Sequence, residues 1–141
     1  MKRARVLLVD DMPSDAKLFE VAARQTRWIK EVRVSTDGFQ ALELLRSTES
    51  LSWIPHLILL DLNMPRMTGF EFLDELKNDD NLCHIPTLIL TTSSASKDVL
   101  EAYQKHANSF LTKPSDFPGL KQMLLTLEDF WLQIATLPSA L

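Results

Sequence analysis

The chain predicts an α/β protein built on a doubly wound parallel sheet of five strands, in the order 2-1-3-4-5. Two patterns carry that expectation. Short apolar runs alternate five times with amphipathic helical stretches across short links, and the runs 57–60 and 87–90 are nearly all apolar, as strands covered on both faces must be. A third observation is chemical. Asp10, Asp11, Asp61 and Lys113 each follow the C-terminal end of such a run. In a parallel sheet all those ends share one edge, and ligands bind in the crevice along it. Charges far apart in sequence are thereby expected in one pocket.

The elements follow in order. Residues 5–9 form the first strand, and Pro13-Ser14 opens a helix in which Phe19, Ala22, Ala23 and Thr26 recur at helical spacing. Residues 30–35 alternate as a strand does, Asp37-Gly38 punctuates, and Ala41, Leu42, Leu44 and Leu45 mark a short second helix. The third strand covers 56–60, and a loop from Asn63 to Gly69 leads to a helix carrying Phe72, Leu73 and Leu76. Residues 87–90 form the fourth strand, Val99, Leu100 and Tyr103 a fourth helix, and residues 109–112 the fifth strand. A fifth helix starts near Asp116, with Leu120, Met123, Leu124, Leu127, Phe130, Trp131 and Ile134 on one stripe and Leu125 and Leu132 opposite. Its ~27 Å outruns the ~17 Å that a five-residue strand can cover. The end, 135–141, is apolar and uncharged.

Composition sets limits. The 141 residues suffice for one domain, with 45% apolar and 24% charged side chains. A net charge of −4 with mixed signs offers no basic stripe for nucleic acid. No apolar run reaches a membrane span, and the basic N-terminus lacks a signal-peptide core. The single cysteine, Cys83, excludes an internal disulfide or a cysteine zinc site, so a cytoplasmic location is expected.

The chemistry follows from the charges. Adjacent acids repel and raise one another's pKa, and a bound cation removes that penalty, so Asp10 and Asp11 suit Mg²⁺; alternatively the pair caps the helix behind it. Asp61 emerges from a buried strand, where a carboxylate can attack a phosphoryl group. Phosphoryl transfer needs positioning and charge stabilisation, which Lys113 suits, although a lysine before Pro114 is also an ordinary loop residue. Thr91 and Thr92 end the fourth strand, where a hydroxyl can reach a phosphoryl oxygen or merely close the strand. Phe110 has the ordinary reading of a core aromatic.

Taken together, Val-Asp-Asp at 9–11, Leu-Asp-Leu-Asn-Met-Pro at 60–65 with Gly69, Leu-Thr at 90–91 and Lys-Pro at 113–114 resemble the receiver domain of two-component response regulators, from about Val6 to Leu127. The resemblance implies a chemotaxis-regulator-like, flavodoxin-like fold and a receiver at 1–130, with 131–141 as an apolar tail and dimerisation arm. It implies that Asp61 is the phosphoacceptor, that Asp10, Asp11, Asp61 and the backbone carbonyl of Asn63 hold Mg²⁺, and that Lys113 binds the phosphoryl group. Thr91 and Phe110 would be the switch pair, and Asn63, Thr92 and Ser93 would modulate the site. The Lys113–Pro114 bond would be cis.

The partners implied are a sensor histidine kinase, contacting Ser14, Asp15, Leu18 and the loop after Lys113, and a histidine phosphotransferase. The tail either folds back on its own domain or reaches across to a second copy, in which case a homodimer would form through helices four and five and the tail. The Phe130-Trp131-Leu132 and Thr136-Leu137-Pro138 segments resemble regulators of phytochrome kinases. The chain is expected to be no enzyme beyond its own phosphorylation and autodephosphorylation. Two departures stand out: Thr92, where the family has a small residue, predicts slow dephosphorylation, and His106 replaces the family's glycine at a left-handed helix cap. The competing reading is a Mg²⁺-dependent phosphatase of the haloacid-dehalogenase type, weakened because Asn63 stands where its second acid belongs. A flavodoxin-type nucleotide binder would need a glycine-rich phosphate loop, and none of the three glycines follows the first strand.

Overall fold

A computed structural model describes residues 3–47 and 53–138. Five parallel strands, β1 (Ala4–Val9), β2 (Ile29–Ser35), β3 (Leu57–Leu60), β4 (Thr87–Thr91) and β5 (Ser109–Thr112), lie in the order β2-β1-β3-β4-β5. Between them run α1 (Pro13–Arg24), α2 (Gly38–Arg46), α3 (Gly69–Lys77) and α4 (Ser96–Gln104), and α5 (Phe117–Leu127) follows β5.

The period-two geometry of a strand explains the two layers of core. Leu7 and Val9 of β1, Ile58 and Leu60 of β3 and Ile89 of β4 point to one face, under Ala41, Leu42, Leu45, Phe72, Leu73 and Leu76 of α2 and α3. Their neighbours Val6, Leu8, Leu57, Leu59, Leu88 and Leu90 point to the other, under Phe19, Ala22 and Ala23 of α1 and Leu124 of α5. Burial on both faces is why the central strands are nearly all apolar.

Local signals fix the helix starts on the site edge. Pro13 sits in the first turn of α1, its preset φ suited to that position. Asp37 caps α2 by accepting the Gln40 N–H at 2.8 Å, and Asp116 caps α5 by accepting the Gly119 N–H at 2.7 Å. At α3, Thr68 and Glu71 form a reciprocal capping box.

The last helix departs from expectation. The α-helical stripe does not run on to Ile134; from Glu128 to Ile134 the backbone is a π-helix. The wider turn moves Leu132, expected on the far side, into the core at 3% exposure, while Phe130 and Ile134 turn outward at 50% and 75%. Trp131 and Leu137 pack beside it against the α1/α5 layer. The tail from 135 therefore lies on its own domain as far as Leu137, and residues 139–141 fall outside the described ones. No helix among the described residues is long and apolar enough to cross a membrane.

His106 has φ 70°. Its N–H donates to the Tyr103 carbonyl and the Ala107 N–H to the Ala102 carbonyl, both at 3.0 Å, the two bonds of a Schellman cap with histidine at the left-handed position.

Candidate functional site

The predicted convergence is present at the C-terminal edge of the sheet. The Asp10 N–H donates to the Ser35 carbonyl at 3.0 Å, just beyond the β1–β2 ladder, and the chain then turns, so Asp10 and Asp11 both reach the crevice. The Asp61 N–H donates to the Val9 carbonyl at 2.9 Å, which sets Asp61 beside the acidic pair. Carboxylate oxygens of Asp10, Asp11 and Asp61 lie within 4.8 Å of one another, an all-oxygen donor set that fits a hard divalent cation.

Thr91 ends β4 fully buried, and its Oγ1 donates to Asp61 Oδ1 at 3.0 Å. The Asn63 N–H approaches the same oxygen at 3.4 Å. Lys113 follows β5, its N–H tied to the Thr91 carbonyl at 2.7 Å. Its Nζ donates to Asp10 Oδ2 at 2.8 Å, Asp15 Oδ2 at 2.9 Å and Asp61 Oδ2 at 3.3 Å.

Burial dominates the electrostatics of Asp10 and holds its carboxyl above the usual range, although the Lys113 ammonium and the Met12 N–H pull it partly back. Burial alone would lower Lys113. Its bonds to Asp10 and Asp15 and the charges of Asp61 and Asp10 outweigh that, so its pKa is raised and the ammonium persists at any physiological pH.

Gly69 shows how tightly the loop after β3 closes. A Cβ there would lie 2.4 Å from the Asp61 carbonyl oxygen and 2.7 Å from Leu62 Cα, so only glycine lets α3 start against the backbone that carries Asp61. Arg66, three residues earlier, takes φ 64° and pairs with the buried Asp37 at the α2 cap. That ion pair ties the same loop to the neighbouring helix.

The remaining predicted positions are less central. Phe110 is half-buried on β5 and packs against the α2/α3 layer, its N–H donating to Tyr103 Oη at 3.2 Å. Thr92 is exposed beside Thr91, and Ser93 Oγ is bonded to Asp98 Oδ2 of α4 at 2.6 Å. The Lys113–Pro114 bond is trans, since no cis peptide occurs among the described residues. The expected cis proline is thus corrected to the isomer that X–Pro bonds favour by ~0.5–1 kcal/mol. Asp15 is the residue whose place in the site the sequence does not announce: named there only as a kinase contact, it binds Lys113.

A five-stranded doubly wound sheet whose edge gathers three acids, a lysine and a buried hydroxyl defines a phosphoryl-handling α/β domain. The chain belongs to the response regulator receiver domain family, which matches residues 6–125. It is 37% identical over 137 residues to the response regulator Rcp1 of Synechocystis sp., a match covering 96% of this chain and 93% of that one. Among solved structures, the phosphorylated cyanobacterial phytochrome response regulator RcpA superposes with a TM-score of 0.89 at 37% identity, over 97% of this chain and 99% of its own. The Mn²⁺-bound form of Rcp1 gives 0.85 at 36%, over 96% and 99%. RPA3017, a response regulator in red light signaling of R. palustris, gives 0.87 at 28%, over 96% and 99%. The protein is thus the receiver domain of a two-component response regulator, a class whose partner is a histidine kinase, and nothing supports the phosphatase alternative.

Proposed function

We propose that Asp61 accepts a phosphoryl group from the phosphohistidine of a sensor kinase. The observation that carries this is the pair of donors on Asp61, Thr91 Oγ1 on one carboxylate oxygen and Lys113 Nζ on the other. An Asp61 oxygen attacks phosphorus, the P–N bond breaks as the O–P bond forms, and the departing imidazole keeps the bonding pair and takes up one proton. The buried ammonium of Lys113 and the Thr91 hydroxyl then meet the phosphoryl oxygens. Asp10, Asp11, Asp61 and the Asn63 carbonyl would hold Mg²⁺, which when bound supplies positive charge against the phosphoryl oxygens.

Inward movement of Thr91 toward the phosphoryl group frees space for Phe110, and Asn63, Thr92 and Ser93 tune the lifetime of the state. A local charge event thereby biases the α4–β5–α5 surface. Signalling is by protein contact, in the cytoplasm, with a phytochrome kinase upstream, the last favoured by the likeness to the phytochrome response regulator RcpA. Onward transfer to a histidine phosphotransferase and dimerisation through α4, α5 and the outward Phe130 and Ile134 complete the reading.

The test is phosphotransfer from a panel of purified, autophosphorylated histidine kinases. Transfer fastest from a phytochrome kinase and absent for Asp61→Asn is expected. Labelling that persists in Asp61→Asn contradicts the phosphoacceptor assignment, and preference for an unrelated kinase contradicts the light-signalling assignment.

A further inference from the structure

An ammonium has three N–H donors. Lys113 has three carboxylate acceptors, Asp10, Asp15 and Asp61, so every donor is committed. A phosphoryl oxygen can engage Lys113 only by drawing it away from one of them.

The three acceptors differ in what losing the ammonium would cost. The Asp10 and Asp61 side chains are 3% and 9% exposed, and a buried carboxylate stripped of its partner is penalised heavily. The Asp15 side chain is 38% exposed, so water can replace the lysine at little cost. Asp15 also differs in origin. It belongs to the first turn of α1 and lies, with Lys113, on the wall of a cleft of about 220 Å³ between α1 and the segment after β5. Counting charge, three carboxylates (Asp10, Asp15, Asp61) contact one ammonium, and an arriving phosphoryl group adds to the excess. The Asp15 carboxylate is the part of that excess not gathered into the three-acid oxygen cluster.

We propose that Asp15 is a positioning residue that competes with the phosphoryl group for Lys113. It holds the ammonium partly toward α1 in the resting state and yields it when Asp61 is phosphorylated. The occupied state is thereby made less favourable than the rest of the site would allow. This rests on the phosphoacceptor reading of Asp61 above and names one residue that sets how firmly the phosphoryl group is held.

The test measures beryllofluoride binding, a non-hydrolysing phosphoryl mimic, by calorimetry at saturating Mg²⁺ for the intact chain, Asp15→Asn and Asp15→Glu. Asp15→Asn keeps the shape but not the charge, and about three- to tenfold tighter binding is expected, as for the loss of one partly exposed ion pair. Asp15→Glu restores the charge and is expected to return the affinity toward that of the unaltered protein. A second readout needs no metal: the Lys113 ammonium protons, observed by ¹⁵N NMR, exchange faster with water in Asp15→Asn. Unchanged or weaker binding by Asp15→Asn, or unchanged proton exchange, overturns the proposal while leaving the Asp61 assignment intact. Failure of the unaltered protein to bind the mimic overturns both.

Discussion

Thr92 stands at the open rim of the crevice, next to a threonine that is fully buried against Asp61. If this branched side chain screens the phosphoryl group from an attacking water, Thr92→Ala is expected to shorten the acyl-phosphate lifetime severalfold, read from decay of labelled protein after donor removal. An unchanged lifetime would show that Thr92 does not screen the phosphoryl group. At His106 the cost is conformational: φ 70° is a region where an L-residue loses ~1–2 kcal/mol and glycine nothing. Glycine gives back ~0.5–1 kcal/mol in chain entropy. His106→Gly should therefore raise stability by about 0.5–1 kcal/mol in urea unfolding. Both positions were legible as departures from a familiar pattern. Asp15 was not, because its partner lies 98 positions away and local spacing carries no trace of that contact.

Among the elements, the strands and their edge were the most legible part. Near-uniform apolarity at Leu57–Leu60 and Thr87–Leu90 has one physical meaning, burial on both faces, and the boundary residues moved by no more than one position. The end of α5 was not legible, because the 3.6-residue period was extended past the point where it holds. The change begins at Glu128. Its buried carboxylate accepts the Arg27 N–H at 3.0 Å and the Ile29 N–H at 3.3 Å, and the Trp28 N–H as well. It anchors the turn before β2 to the π-helical segment, and Leu132 is set inward beyond it. Charge in an apolar stripe reads as solvent-facing, whereas three backbone donors on another element make burial favourable. Glu128→Ala leaves those donors without an acceptor and should cost about 2–4 kcal/mol. Glu128→Gln should cost less but not nothing, since each carboxylate oxygen accepts at least one N–H and an amide nitrogen cannot accept. Equal stability of the parent and Glu128→Ala in denaturant titration would contradict the anchor.

At the scale of the whole molecule, stability and assembly become measurable together. His56 joins the sheet to the segment before β3: its Nδ1 accepts the Arg5 N–H at 3.0 Å, and its own N–H donates to the Arg5 carbonyl at 2.8 Å. Burial, and then the charge of Arg5, lower its pKa from 6.5, so the fold holds the neutral ring. Above the unfolded value neither state is protonated and nothing is lost. As pH falls below about 6.5 the unfolded chain binds a proton that the folded chain refuses, and stability declines until the folded value is passed. His56→Asn keeps an acceptor near the Nδ1 position without titrating, so its stability should fall less between pH 6.5 and 5; parallel profiles would exclude His56 as the cause.

For assembly, Leu100 and Tyr103 of α4 and Phe130 and Ile134 of the π-helical segment are exposed apolar residues on the elements proposed for the dimer, whereas Leu132 belongs to the core. A dimer through this surface should therefore dissociate in Ile134→Asp by light scattering without loss of fold. A dimer unaffected by that substitution would place the interface elsewhere.

The central claim is that charges drawn from β1, β3 and β5 serve one phosphoryl group on Asp61. Its most direct test is phosphorylation by a small acyl-phosphate donor in Mg²⁺, followed by borohydride reduction and peptide mass spectrometry to locate the modified aspartate. One phosphoryl group is predicted, on Asp61 alone, lost in Asp61→Asn and on removal of the metal. Modification at Asp10, Asp11 or a hydroxyl residue, or at full yield in Asp61→Asn, would contradict it.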